Sequence, residues 1–323
     1  AEPSKSQSLV DRFVGYDVRV LALLTFVPTF AVVGATLINR YAFNQFTLLT
    51  IICIALVPVF VYRFDDRGRY YPAAITSISL ALLLQNTVIT TYLGRGDGLA
   101  EYAIADAVLR NGYWIPGAAK DAMPRIGVLQ PAYSLLMDVN LLWTFKLAHP
   151  ILFAAVPVVT YVLASRYFSK DIAFLSATLY IFLPRTYQII SRNTRTGGAI
   201  MFTALLLLVI LDTDLPTRLR QLFVLTFFVG VLMSHYGVST LVVFGLVVAY
   251  CANVLAAYLL DNKRSSDLSF RNMALFGVLF VVWYEYMTDG VLNPIWGPPK
   301  MSASPLSVTS PCTARSPNPS DAS

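Results

Sequence analysis

The chain alternates long apolar runs with short polar connectors. The runs fall at about 18–38, 46–63, 72–92, 148–165, 171–190, 198–213, 220–235, 238–260 and 273–288. Most reach the roughly 17–25 residues a helix needs to cross a hydrocarbon core of about 30 Å. The pattern predicts an all-α, polytopic transmembrane protein of about nine spans. The tetrapeptide SHYG, 234–237, divides the stretch 220–260 into two of them.

Segment 126–147, IGVLQPAYSLLMDVNLLWTFKL, bears on the count. It is apolar enough to be a tenth span, but it carries Pro131, Asp138, Asn140 and Lys146. It is expected to lie along the outer membrane surface or to re-enter.

Cations in the connectors set an orientation. Connector 63–69, RFDDRGR, has three arginines, and later connectors hold Arg166 and Lys170, Arg218 and Arg220, and Lys263, Arg264 and Arg271. With nine spans and a cytoplasmic N-terminus, all four lie inside, as the positive-inside rule requires. Ten spans would reverse every later loop. The expected organisation is a cytoplasmic segment 1–17, three spans within 18–92, and an outer loop of amphipathic, interfacial helices at 93–147. The remaining spans occupy 148–290, and a Ser/Pro-rich tail, disordered or truncated, occupies 291–323. The location implied is the plasma membrane.

Composition strengthens this picture. The chain is 56% hydrophobic and 13% charged, against about 25% charged in soluble domains. The net charge of +6 sits in the connectors, so it signals topology rather than nucleic-acid binding. Cys53, Cys251 and Cys312 have no metal-site or disulfide spacing. The N-terminal AEPSKSQSLVDR has no signal-peptide pattern.

Three polar features interrupt the apolar background. In GRGDGLAEYAIADAVLRNGYW, 94–114, Asp97 and Glu101 are four apart and share a helix face. They suit a general base with a supporting carboxylate, a divalent-metal pair, or simply a wet external turn. In SRNTRTGG, Arg192 and Arg195 suit a phosphate or an interfacial anchor. Gly197 and Gly198 would expose backbone N–H groups at the next helix start. In SHYG, His235 and Tyr236 suit a phosphate or sugar contact, or a polar helix end. His149, beside Pro150, reads as structural. The spans lack the chain of central ionisable residues expected of many ion pumps. On the nine-span topology all three features face the outside, where a carboxylate opposite cations is the layout for moving a group off a phosphate.

The chain resembles the GT-C class of integral-membrane glycosyltransferases, which includes the dolichyl-phosphate-mannose protein mannosyltransferases. It is more closely similar to an archaeal family of predicted multi-span membrane proteins of unassigned function. The stretches that carry the resemblance are 94–114, WTFKLAHPILFAAVPVVTYVL at 143–163, Arg195 with the span to 211, SHYG, and VVWYEYMTDGVLN at 281–293. The resemblance implies that Asp97 acts on the acceptor with Glu101 in support. It implies a polyprenyl- or dolichyl-phosphate sugar donor, held through its phosphate by Arg195, Arg192, His235 and Tyr236. Transfer to a glycan or protein acceptor would occur on the outer face with inversion, without a nucleotide sugar or nucleic acid. Mannosyl-type members need no metal and the oligosaccharyltransferases do, so a divalent ion at Asp97 and Glu101 stays open. Two departures stand out: Ile200 occupies a place where an acidic residue is expected, and the chain ends in the Ser/Pro tail where the family continues into further spans. The alternatives are a transporter or flippase for a lipid-linked or small solute, and an inactive scaffold of a glycan-assembly complex.

Overall fold

The computed structural model describes residues 18–65, 68–93, 96–114, 123–212, 214–260 and 270–287. The expected cytoplasmic segment and the Ser/Pro tail lie outside the described residues. Helix makes up 86% of the structure, and no strand occurs among the described residues.

The elements run α1 Val18–Tyr41, α2 Asn44–Phe64, α3 Tyr71–Val88 and α4 Asp97–Asn111. A π turn at Arg125–Leu129 then leads into α5 Gln130–Met137. After it come α6 Leu141–Ala164, α7 Lys170–Phe182, and a π and 3₁₀ turn over Arg185–Arg192. The last described elements are α8 Thr194–Ile210, α9 Thr217–Ser234, α10 Tyr236–Leu260 and α11 Phe270–Met287.

Each apolar run of the sequence falls on a helix, but not each helix is a full span. Among the described residues, five helices are long and apolar enough to cross a membrane: α1 from Ala22, α2, α6, α9 and α10. The bent pair formed by Arg185–Arg192 and α8 makes a sixth if it counts as one span. By this measure the count of nine is not reached. The run 171–190 is not one straight helix. Leu183, before Pro184, is extended at φ −61° and ψ 125°, because proline's ring disfavours the helical conformation of its predecessor. The 13 residues of α7 span only about 20 Å. Segment 126–147 is divided too. Asp138 takes a left-handed conformation, φ 50°, that ends α5, and the Asn140 side chain then accepts from the Leu142 amide at 2.9 Å to start α6.

Many large apolar side chains face outward. On α2 alone, Leu48, Leu49, Ile51, Ile52, Leu56, Val59 and Phe60 are exposed. In water such a face would be a contiguous apolar patch far larger than soluble chains tolerate; against lipid tails it costs nothing. Helices this apolar are consistent with a membrane protein.

Two interior clusters hold the bundle together. The first joins α1, α2 and α3 to the C-terminal half of α6 and to α7, around Ile54, Ile75, Ile78, Phe153 and Phe174. The second joins α4, the start of α6, α8, α9, α10 and α11, around Phe145, Leu206, Phe228, Phe276 and Tyr284. Helix α8 belongs to both. Ile200, Met201 and Ala204 pack on the first cluster, and Leu206 and Val209 lie in the second. The two clusters thus hold its middle and its C-terminal end, and the candidate site is at its N-terminus.

Candidate functional site

The chain reaches the site through a sharp corner. The segment Arg185–Arg192 meets α8 at 115°, and Asn193 between them is extended, φ −102° and ψ 95°. The corner points the first turn of α8, with Thr194 and Arg195, at the first turn of α4. Two glycines make the approach possible. Gly96 sits at φ 107°, where an L side chain is strained. A Cβ on Gly98 would come within 2.8 Å of the Arg192 carbonyl oxygen. Asp97 lies between them, on the first residue of α4, where the helix dipole favours a negative charge.

Glu101 is wholly buried. Its Oε2 accepts from the Thr194 amide at 2.8 Å and the Thr194 hydroxyl at 2.5 Å. Its Oε1 accepts from Arg195 Nε at 2.9 Å. Both oxygens of this carboxylate are thus taken up by the protein's own donors. It caps the start of α8 and fixes the guanidinium, so its role is positioning. Asp97 differs: its side chain is 48% exposed and lies 3.7 Å from Arg195 Nη2, a charge contact rather than a hydrogen bond. The i,i+4 spacing thus yields one inward carboxylate and one outward one.

Arg195 is only 3% exposed. With Nε on Glu101 and Nη2 toward Asp97, its Nη1 is buried without a hydrogen-bond partner. A buried guanidinium N–H left unpaired is costly, and it is the kind of donor an incoming anion would satisfy.

His235 ends α9 and begins α10. Its Nδ1 accepts from the Gly237 amide at 3.0 Å and the Val238 amide at 3.4 Å. The ring is thus the N-cap of α10, a role usually filled by Ser, Thr, Asp or Asn. Accepting at Nδ1 requires the neutral ring with its proton on Nε2, which leaves Nε2–H as a donor. Burial and the nearby Arg195 charge hold this imidazole below its ordinary value, against a smaller opposing pull from Asp97. Tyr236 stacks on the same ring, centroids 5.0 Å apart.

Arg192 is committed elsewhere. Its Nη2 donates to the Asn86 carbonyl at 3.2 Å and to Asn86 Oδ1 at 2.9 Å. The Asn86 amide donates in turn to Ser191 Oγ at 2.7 Å and the Gln188 carbonyl at 3.2 Å. Arg192 therefore ties the corner to the end of α3 through two bonds to Asn86.

The glycines of SRNTRTGG do not present free N–H groups. Gly197 N donates to the Asn193 carbonyl at 2.9 Å, inside the helix. What the two glycines provide is room. A Cβ on Gly197 would fall 2.4 Å from the His149 ring, and one on Gly198 would fall 2.0 Å from Arg125 Nε. Arg125 Nε donates to the Thr194 carbonyl at 2.9 Å, and its Nη2 lies 3.4 Å from His149 Nδ1. His149 Nε2 lies 3.2 Å from the Ile190 carbonyl. Lys146 is likewise buried, its ammonium on the Thr90 carbonyl.

The structure thus brings together Asp97, Glu101, Arg195, His235 and Tyr236, with Arg192 one turn away. Sequence reasoning missed Arg125, Lys146, Thr194 and Asn86. The adjacent pair Gly197–Gly198 at the start of an apolar run was the available signal for Arg125, since it marks a helix face that must admit something bulky. The cations Arg125, Lys146, Arg192 and Arg195 outnumber the two carboxylates, so the region carries a positive excess. No group of three or more metal-ligating side chains occurs among the described residues, and both oxygens of Glu101 are engaged by protein donors. Comparison with family models, with curated proteins and with solved structures finds no match for the chain.

Proposed function

We propose that the chain is a membrane glycosyltransferase that moves a sugar from a polyprenyl- or dolichyl-phosphate donor to an acceptor at the outer face. The observation that supports this best is the pairing of an exposed carboxylate, Asp97, with a buried arginine, Arg195, whose Nη1 lacks a partner. Asp97 takes the proton of the acceptor hydroxyl as that oxygen bonds to the anomeric carbon. The bond from that carbon to the phosphate oxygen breaks, and the lipid phosphate leaves with the electron pair. Arg195 Nη1 and His235 Nε2–H stabilise the charge that develops there. Glu101 keeps Arg195 in place.

The test is sugar transfer by purified protein in lipid with radiolabelled polyprenyl-phosphate sugars. Asp97→Asn keeps the shape and removes the base, so activity should fall about 10²-fold or more. Equal transfer by wild type and variant removes Asp97 from the mechanism. Labelling of position 97 from the cytoplasmic side would overturn the whole reading.

One observation favours a second reading. A broken helix whose N-terminus meets a cluster of charges, as at Asn193, is a device of secondary transporters. A transporter would move solute in vesicles with no sugar transferred.

A further inference from the structure

A second polar pocket lies apart from the charged site. It has a volume of about 160 Å³ and sits between α2, the last turns of α3 and the turn at 185–189. Its apolar wall is Ile51, Leu82 and Ile89, and its polar wall is Gln85, Asn86, Tyr187 and Gln188. No charged side chain lines it. Ile51 belongs to a candidate span and is 46% exposed, so this wall of the pocket reaches the outer surface of the bundle.

The polar wall divides into braces and free groups. Asn86 is already engaged: its amide is on Ser191 and Gln188, and its Oδ1 accepts from Arg192. Gln188 Nε2 donates to the Tyr187 hydroxyl at 3.1 Å, which leaves the phenolic proton of Tyr187 to donate onward. Gln85 is the anomaly. It is 7% exposed, and its Oε1 is buried without a hydrogen-bond partner. A buried carbonyl oxygen left without a donor is costly, and leucine at that place would be cheaper.

From this we infer that the pocket binds a neutral, hydroxyl-rich ring, a single sugar residue presented from the membrane. Carboxamides offer donor and acceptor together, as hydroxyl pairs require, and a tyrosine ring offers an apolar face. The absence of lining charge selects against phosphate, amine and carboxylate ligands. The volume lies below the roughly 300 Å³ at which drug-sized pockets begin, and suits one ring. Asn86 braces both this pocket and Arg192, so occupancy is mechanically coupled to the corner that carries Arg195. The binding stands without the transferase proposal; only a role as the donor's sugar subsite rests on it.

The experiment is photo-cross-linking in phosphatidylcholine nanodiscs. The probe is a neutral hexosyl lipid with a diazirine beside the sugar, and the control is the same lipid without the sugar. Wild type should be labelled within 185–192 by the hexosyl lipid alone. Gln85→Leu should weaken labelling about tenfold, one hydrogen bond's worth, while its melting temperature stays level or rises because the orphaned group is gone. Gln188→Leu, at an exposed position, should weaken labelling without touching stability. Competition by a free methyl hexoside supports recognition of the ring itself, and lack of competition supports recognition of the lipid-borne ring only. Equal labelling by the sugarless control, no labelling at 185–192, or a clear loss of stability in Gln85→Leu would overturn the inference. Labelling without sugar transfer keeps this pocket and removes the transferase; transfer without labelling does the reverse.

Discussion

The two carboxylates of the opening helix turn should separate cleanly on substitution. Glu101 is fully buried, bonded to Arg195 Nε at 2.9 Å and to both donors of Thr194. In Glu101→Gln the amide N–H₂ must face either the guanidinium or the Thr194 donors, and Arg195 loses its enclosed counter-ion. Breaking a buried pair by removing one partner costs about 3–5 kcal/mol. Chains of 150–250 residues lose roughly 2–4 °C per kcal/mol, so at this length the apparent melting point should fall about 5–10 °C. Asp97 is half exposed and 3.7 Å from the same arginine. A contact of that kind is worth about 0–1 kcal/mol, so Asp97→Asn should melt within about 2 °C of wild type while losing transfer. The assay is a thermal-shift series on detergent-purified variants, followed by size-exclusion chromatography and paired with transfer activity. Changing Arg195→Met together with Glu101→Gln should recover part of the lost stability, since no buried charge is then uncompensated. If Asp97→Asn destabilises and Glu101→Gln does not, the assignment of roles is refuted.

Other consequences are as direct. His235 as an N-cap needs its neutral ring, and burial lowers its tendency to protonate from an ordinary value of 6.5. Its contribution is therefore full above about pH 6.5 and declines as pH falls below that toward the lowered folded value. The melting point should drop between pH 8 and pH 5.5 by more in wild type than in His235→Asn, which retains a capping oxygen; an equal drop removes His235 as the cause. Gly198→Ala would drive a Cβ to 2.0 Å from Arg125 Nε, and overpacking of this kind costs about 1–3 kcal/mol. Gly245→Ala, with nothing within 4 Å, should instead gain up to about 1 kcal/mol, and equal melting of the two variants would sink the packing argument. Tyr92 and Tyr167 are 78% and 64% exposed and lie after α3 and after α6. As single cysteines in a background without Cys53, Cys251 and Cys312, position 92 should react with an impermeant thiol reagent from outside and position 167 only after permeabilisation. Labelling of both from one side would refute the topology.

The apolar runs made the helices legible, because a helix facing lipid must satisfy its backbone internally and present apolar side chains. They did not make the spans legible. Helix α3 carries Ser77, Ser79, Gln85, Asn86 and Thr87, most of them buried, and it falls below the apolarity of a span because protein rather than lipid covers it. The break at Leu183–Pro184 was written in the sequence as a proline, but an apolar run of 20 residues reads as continuous unless its proline is weighed.

The site was legible in its members and not in its wiring. Asp97, Glu101, Arg195 and His235 were singled out because polar residues in an apolar chain are few, and scarcity is visible without a structure. Helical spacing correctly put the two carboxylates on related faces, yet position 101 turns wholly inward while 97 keeps to the edge. That difference depends on the corner at Asn193, which brings Thr194 and Arg195 to Glu101 across more than ninety residues. Arg195 takes its carboxylate from α4, and Ile200 is free to pack into the core. An arginine whose counter-ion comes from a distant helix holds two elements in register as well as a charge in place. Any motion that opens the contact between α4 and α8 therefore also unmakes the geometry of Asp97 and Arg195. The chemistry assigned to Asp97 thus depends on a contact that Glu101 maintains, and Glu101→Gln should lower activity even at temperatures where the variant remains folded.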